Sequence, residues 1–304
     1  MNQHQAHFLF NSIGGAGFGS EVNNLAYAIY YFEQHHLDYT LMLDNWVSSY
    51  RYGWSDYFVS LQSEQRQKNG KDNIILAAAW LDNNLQGLAG TVYRRQYLSD
   101  LLDTISQRQI TIRANRNFRL ARRFAYGRRA LDREKFICSM HVICNRLFQP
   151  RENILRLAEA YRPAGPFHVL HIRRGDKVTT KEDRAYEVEE YAEAVRQHAG
   201  AVRQLFVMSD DSRVFQEVAI ALPEFTLHHA EGLTPYGYDH QRFIELSPAD
   251  TRGHTEELIA QIEVARRAKV FFGTVGSNLF RLIEYLRGGG CIDVSMTPYA
   301  HTDI

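Results

Sequence analysis

The sequence predicts an α/β protein built on parallel sheets. Short apolar, β-branched or aromatic runs recur along the chain, and between them lie stretches whose apolar residues repeat at three- and four-residue steps. Several of these runs also end directly in a glycine-bearing or charged turn that leads into a helical pattern.

Strands are expected at Phe8 to Ile13, Tyr39 to Leu43, Ile74 to Ala78, Phe167 to Ile172, Leu205 to Met208, Phe225 to His228 and Val270 to Phe272. Val22, Leu25, Ala26, Ile29 and Phe32 mark one helix. Ser277 to Arg287 marks another, opening on a hydroxyl residue and closing at Gly288, Gly289 and Gly290. A long helical pattern from Phe136 to Tyr161 ends at Arg162-Pro-Ala-Gly-Pro166, a cluster of breakers directly before a strand. A domain boundary is expected there, giving an N-terminal domain over 1–162 and a C-terminal domain over 163–304. Residues 231 to 254 hold Gly232, Pro235, Gly237, Pro248 and Gly253 without clear periodicity and read as a functional loop or lid.

Composition excludes several classes. The chain has 304 residues, enough for one large or two ordinary domains, with 45% hydrophobic and 23% charged residues, as in an ordinary globular protein. Lys plus Arg and Asp plus Glu number 35 each, so no general electrostatic attraction to nucleic acid is expected. No window holds the roughly 18 apolar residues of a membrane span, and the N-terminal residues lack a signal-peptide pattern. Cys138, Cys144 and Cys291 form no Cys-x-x-Cys pair and no zinc-ligand spacing, so reduced, buried thiols are expected. These features favour a cytoplasmic setting, although a lumenal protein freed of its anchor would read the same way.

Four constellations carry chemistry. Gly14-Gly-Ala-Gly-Phe-Gly-Ser20 lies between a strand and a helix, where glycines let backbone N–H groups approach an anion; a tight turn would use the same residues. The strongest is Phe167-His-Val-Leu-His-Ile172 running into Arg173-Arg-Gly-Asp-Lys177. Ligands of open α/β sheets sit beyond the carboxyl ends of strands, and a guanidinium grips two phosphate oxygens. The bland reading is a solvated loop with internal ion pairs. Ser209-Asp-Asp-Ser212 follows the next strand: either aspartate could cap a helix, or one could order the Arg173 loop. Phe271-Phe-Gly-Thr-Val-Gly-Ser-Asn278 is another strand, turn and helix start, where Ser277 suits a cap or a diphosphate. A basic stripe of Arg113, Arg116, Arg119 and Arg122 reads as a solvated helix face, with an acidic acceptor or a peripheral membrane contact as the alternative.

Taken in order, these motifs resemble the fucosyltransferase superfamily. The resemblance rests on Gly17-Phe-Gly-Ser-Glu-Val-Asn-Asn24, Leu41-Met-Leu43 with Asn45-Trp46, Gly53-Trp54, His171 to Lys177, Glu189-Glu-Tyr191, Ser209-Asp-Asp211, and Gly276-Ser-Asn278 with Arg281. It spans nearly the whole chain. His-x-Arg-Arg-x-Asp is shared with the α1,2 branch; Lys177, Gly53-Trp54 and the final motif bring the sequence nearest the α1,6 branch, which includes N-glycan core and nodulation-factor enzymes. The resemblance implies a GT-B-like fold, two Rossmann-like domains facing across a cleft. It also implies inverting, metal-independent transfer of fucose from GDP-fucose, with no cofactor, to a glycan or glycoconjugate hydroxyl.

Carried over by position, the resemblance makes Arg173 a ligand of the β-phosphate and puts His171 near the guanine. Asp176 and Lys177 support the site, and Gly17, Gly19 and Ser277 contact the diphosphate. Asp210 and Asp211 hold the architecture, while Arg174, Gly276 and Asn278 complete the donor-binding set. The catalytic base falls on Glu182 through a one-residue insertion, with Asp183 as the fallback, and the guanine-reading carboxylate position holds Gln261. No metal ligands are implied. The alternatives are an α1,2- or protein O-fucosyltransferase, a relative using another nucleotide sugar, or a non-catalytic nucleotide- or glycan-binding relative.

Overall fold

In the computed structural model, residues 7–11, 17–34, 38–43, 46–59, 112–114, 133–175, 186–230 and 238–295 are described. The chain separates into two units. The first comprises 1–56, 60–143 and 301–304, and the second comprises 57–59 and 144–300.

In the first unit, β1 (His7–Asn11) is flanked by β2 (Asp38–Met42) and β3 (Ile112–Ala114), both parallel to it. Phe8 pairs with Tyr39 on one side and Ile112 on the other. Arg113 therefore lies in a strand opposite Leu9, which corrects its assignment to a basic helix face; Arg116, Arg119 and Arg122 lie outside the described residues. The expected strand at Ile74 to Ala78 is also outside them. α1 (Phe18–Gln34) buries Val22, Leu25, Ala26 and Ile29, the apolar stripe read from the sequence. Phe18 packs on Trp46 and Trp46 on Trp54, with ring centroids 5.4 and 5.0 Å apart. The turn before Trp54 is fixed by Asp56, whose carboxylate accepts the N–H groups of Tyr50, Arg51 and Tyr52 at 2.8–3.0 Å. Gly53 occupies the left-handed region there, with φ 77°.

α2 (Arg133–Leu147) crosses from the first unit to the second between Ile143 and Cys144. The long helical pattern breaks at Pro150, and α3 (Glu152–Tyr161) continues it within the second unit. Cys144 is buried, and burial pushes its thiol pKa up; Cys291 is half-buried and Cys138 is exposed, against the expectation of burial.

The second unit carries a parallel sheet of β4 (His168–Ile172), β5 (Gln204–Ser209), β6 (Thr226–His228), β7 (Phe271–Gly273) and β8 (Cys291–Asp293). Their order is β6-β5-β4-β7-β8. The chain winds outward from β4 to one edge, then returns to β7 on the other side of β4. β4 is buried along its whole length, as a central parallel strand with both faces covered should be. Leu170, Ile172, Leu205, Val207 and Phe272 pack against α4 (Val188–His198) and α5 (Arg213–Ala221). The alternate residues face the other way, where Phe271 meets Phe280 of α8 (Asn278–Arg287) at 5.6 Å.

The region 231–254 is only partly a loop. α6 (His240–Ile244) and the start of α7 (Pro248–Arg266) occupy its described portion. Ser247 caps α7 by accepting from the Asp250 N–H, and Pro248 sits at its first position, where a missing donor costs nothing. The first half of α7 is polar and its second half is buried almost all round, so no single apolar stripe announced it. Among the described residues no helix is long and apolar enough to cross a membrane.

Candidate functional site

β4 and β7 are adjacent in the sheet yet distant in sequence, and the connections leaving them run to opposite edges. Such a switch point opens a crevice beyond the carboxyl ends of the two strands. Two of the four sequence constellations meet at it: Arg173 to Gly175 after β4, and Thr274 to Asn278 after β7.

The loop after β4 is held by one carboxylate. Asp210 Oδ1 accepts the Arg174 N–H at 2.8 Å, and Oδ2 accepts the Gly175 N–H at 2.9 Å and the Tyr238 N–H at 3.3 Å. Asp210 thus orders the Arg173 loop, the second of the two roles open to it in the sequence. Gly175 is required by proximity. A Cβ there would lie 2.5 Å from Asp210 Oδ2 and 2.5 Å from the Tyr238 carbonyl oxygen. Gly175→Ala is expected to lower stability by about 1–3 kcal/mol through overpacking, measured as the shift in urea-unfolding midpoint. An unchanged midpoint would show that the loop yields without cost.

Asp211 does something different. It is buried, forms a two-pronged bond with the Arg213 guanidinium and accepts the Arg213 N–H at 3.0 Å, at the start of α5. Hydrogen bonding from Arg213 holds its carboxyl below the usual range. Arg174 is also committed, donating to the Tyr186 carbonyl at 3.2 Å and pairing with Glu217 at 3.0 Å. The side chains of Arg174 and Asp211 therefore brace the loop and helix around Arg173. Asp176, Lys177, Glu182 and Asp183 lie outside the described residues.

His171 is buried on the face toward α8 and stacks on Phe271 at 6.3 Å with 17° between planes. Burial, with the nearby Arg173 charge, pushes its pKa down to about 3. At neutral pH it is therefore an uncharged imidazole, a hydrogen-bonding ring rather than a cation. Gly273 allows the close approach there, since a Cβ would meet Phe280 Cδ2 at 2.9 Å.

Across the crevice, Ser277 is fully buried and caps α8, its Oγ accepting the Leu279 N–H at 3.2 Å. Its own N–H donates to the Thr274 carbonyl at 3.0 Å, closing the turn. Gly276 and Asn278 flank it, half-buried. The helix start adds partial positive charge to this rim. Gln261 is buried in the second half of α7. In the first unit, Gly17 precedes α1 and accepts the Ser20 and Glu21 N–H groups at 2.9 and 3.1 Å, while Gly19 lies in the first helical turn. Glu21 accepts the Val47 N–H at 2.9 Å. Among the described residues no group of His, Cys, Asp and Glu is arranged to hold a metal ion.

Sequence reasoning missed Asp293. It ends a strand of three residues and accepts the Val275 N–H at 3.1 Å, 18 residues away. No local signal marks such a pairing.

The fold around this switch-point crevice, an α/β arrangement rimmed by an arginine loop and a capped helix start, is similar to that of solved fucosyltransferases. It is similar to a variant of Arabidopsis thaliana FUT1 solved in complex with GDP, at 13% identity and a TM-score of 0.57, over 93% of this chain and 68% of that one. It is likewise similar to POFUT1 in complex with GDP-fucose, at 11% identity and a TM-score of 0.54, over 97% and 96% of the two chains. At these identities the likeness is one of fold. No protein-family model and no curated protein matches the chain.

Proposed function

We propose that this protein is an inverting, metal-independent glycosyltransferase that moves fucose from GDP-fucose to a hydroxyl of a glycan or glycoconjugate, with α1,6 linkage. The observation that carries the proposal is the Arg173 loop, locked on Asp210 at the carboxyl end of β4 beside the switch point. The donor class is supported by the similar structures, one holding GDP and another GDP-fucose. The linkage rests on Lys177, Gly53-Trp54 and the Gly276-Ser-Asn278 motif. In this reading the two units form a GT-B-like pair facing across a cleft, and Gly17 and Gly19 bring the α1 N-terminus to the diphosphate.

The chemistry is a direct displacement. The acceptor oxygen attacks the anomeric carbon from the face opposite GDP, Glu182 takes its proton, and GDP leaves with the bonding electrons. Negative charge grows on the departing phosphate, where fixed donors lower the barrier. Arg173 supplies the charged donor, with the turn before α8 on the other rim. In this reading the neutral imidazole of His171 faces the purine.

GDP is expected to bind in the presence of EDTA, measured by titration calorimetry, because arginine and backbone donors neutralise the diphosphate here. Binding only with magnesium or manganese would overturn the metal-independent mechanism. Much tighter binding of UDP or ADP would overturn the assignment of the donor.

A further inference from the structure

The second rim of the crevice is held by a device that mirrors the first. Asp210, at the end of β5, grips the loop that follows its neighbour β4. Asp293, at the end of β8, grips the loop that follows its neighbour β7: its Oδ1 accepts the Val275 N–H at 3.1 Å. The same carboxylate is fixed in turn by Ser295, whose N–H and Oγ donate to it at 3.0 and 2.8 Å. The Val275 carbonyl is taken from the other side. Arg281 Nε donates to it at 2.8 Å.

Val275 therefore has a carboxylate on its N–H and a guanidinium on its C=O. Peptide units are planar, so fixing those two groups fixes the orientation of both peptides from Thr274 to Gly276. That turn delivers Ser277 to the cap of α8. Arg281 itself is the fourth residue of α8, near the positive end of the helix dipole, where a cation is disfavoured. The bond to the Val275 carbonyl offsets that cost.

We propose that Asp293 and Arg281 are positioning residues: they clamp the Val275 peptides so that the Thr274–Ser277 turn is preformed to receive the diphosphate of the donor. This rests on the donor reading given above. Neither side chain is asked to touch the reacting atoms. Their role is to remove the ordering cost that a loose turn would levy on binding.

The test is GDP titration calorimetry on the full chain, with thermal unfolding of each variant alongside. Asp293→Ala is expected to weaken GDP binding about tenfold, the scale of one lost charge-assisted hydrogen bond. Asp293→Asn keeps an acceptor oxygen for the Val275 N–H and should recover affinity to within about threefold of wild type. A merely structural aspartate would lower Tm while leaving the folded protein's affinity unchanged, and Asp293→Ala binding within about threefold of wild type overturns the proposal. If Asp293→Ala does not fold, Arg281→Gln removes the other end of the clamp and is held to the same two limits. If the wild type binds no GDP at all, the donor reading fails and this proposal fails with it, an outcome distinct from a variant that binds as well as the wild type.

Discussion

Arg173→Ala is expected to lower fucosyl transfer by about 100- to 1000-fold, the usual cost of removing one preorganised donor aimed at charge that develops in the transition state. Its neighbours explain why the effect should concentrate on this residue. The Arg174 and Gly175 N–H groups are bound to Asp210, so the backbone that carries Arg173 is fixed before any ligand arrives. The adjacent Arg174 side chain is already occupied by Tyr186 and Glu217, which leaves it a bracing role. A suitable control is Arg156→Ala, since Arg156 is an exposed residue of α3 paired along the helix with Glu152 and should be near neutral. Steady-state release of GDP with an accepting glycan, on variants shown to fold by circular dichroism, measures both. A loss below about fivefold for Arg173→Ala would remove it from the mechanism.

Glu182→Gln is expected to reduce transfer by about 100-fold or more, while GDP affinity stays within about threefold of wild type. Inversion by direct displacement needs a proton acceptor on the face opposite the leaving group. A carboxylate following the arginine loop is the residue type suited to it. Glutamine keeps the size and much of the hydrogen-bonding shape but cannot take the proton. Lys181, ammonium at neutral pH, is a poor base, and its charge would lower the pKa of a neighbouring carboxylate. Asp183→Asn should then be mild. The opposite pattern, with Glu182→Gln active and Asp183→Asn inactive, would move the base to Asp183. Two active variants would take the base out of this segment.

How much of the site could be read in advance depended on whether the signal was local. Arg173 to Gly175 follow an apolar run that reads as a strand, and Ser277 stands directly before an amphipathic stretch ended by Gly288, so the positions of both loops were legible. The choice between Asp210 and Asp211 was not. Adjacent residues project in different directions, and only the fold shows Asp210 bonded to the β4 loop while Asp211 serves Arg213. β3 and β8 escaped notice because Ile112-Arg-Ala114 and Cys291-Ile-Asp293 mix charged with apolar residues, whereas β6 and β7, equally short, sit in apolar or aromatic runs. Arg113 was misread for a related reason: a three-residue spacing of arginines suggests a helix, but pairing with β1 overrides it.

By itself the sequence determined the α/β class, the strand–turn–helix units of the second unit, and the loops that carry arginine, glycine and serine at their carboxyl ends. These follow from periodicity, turn chemistry and capping, each set by residues within a few positions of one another. Only the tertiary structure decided the strand order, and with it the switch point that brings the β4 and β7 loops together from about 100 residues apart in the chain. It also decided which carboxylates hold those loops: Asp210 reaches Gly175 across 35 residues and Asp293 reaches Val275 across 18. Such contacts depend on which strands lie side by side, which is settled by burying the apolar faces of the whole sheet together and has no counterpart in any short stretch of sequence.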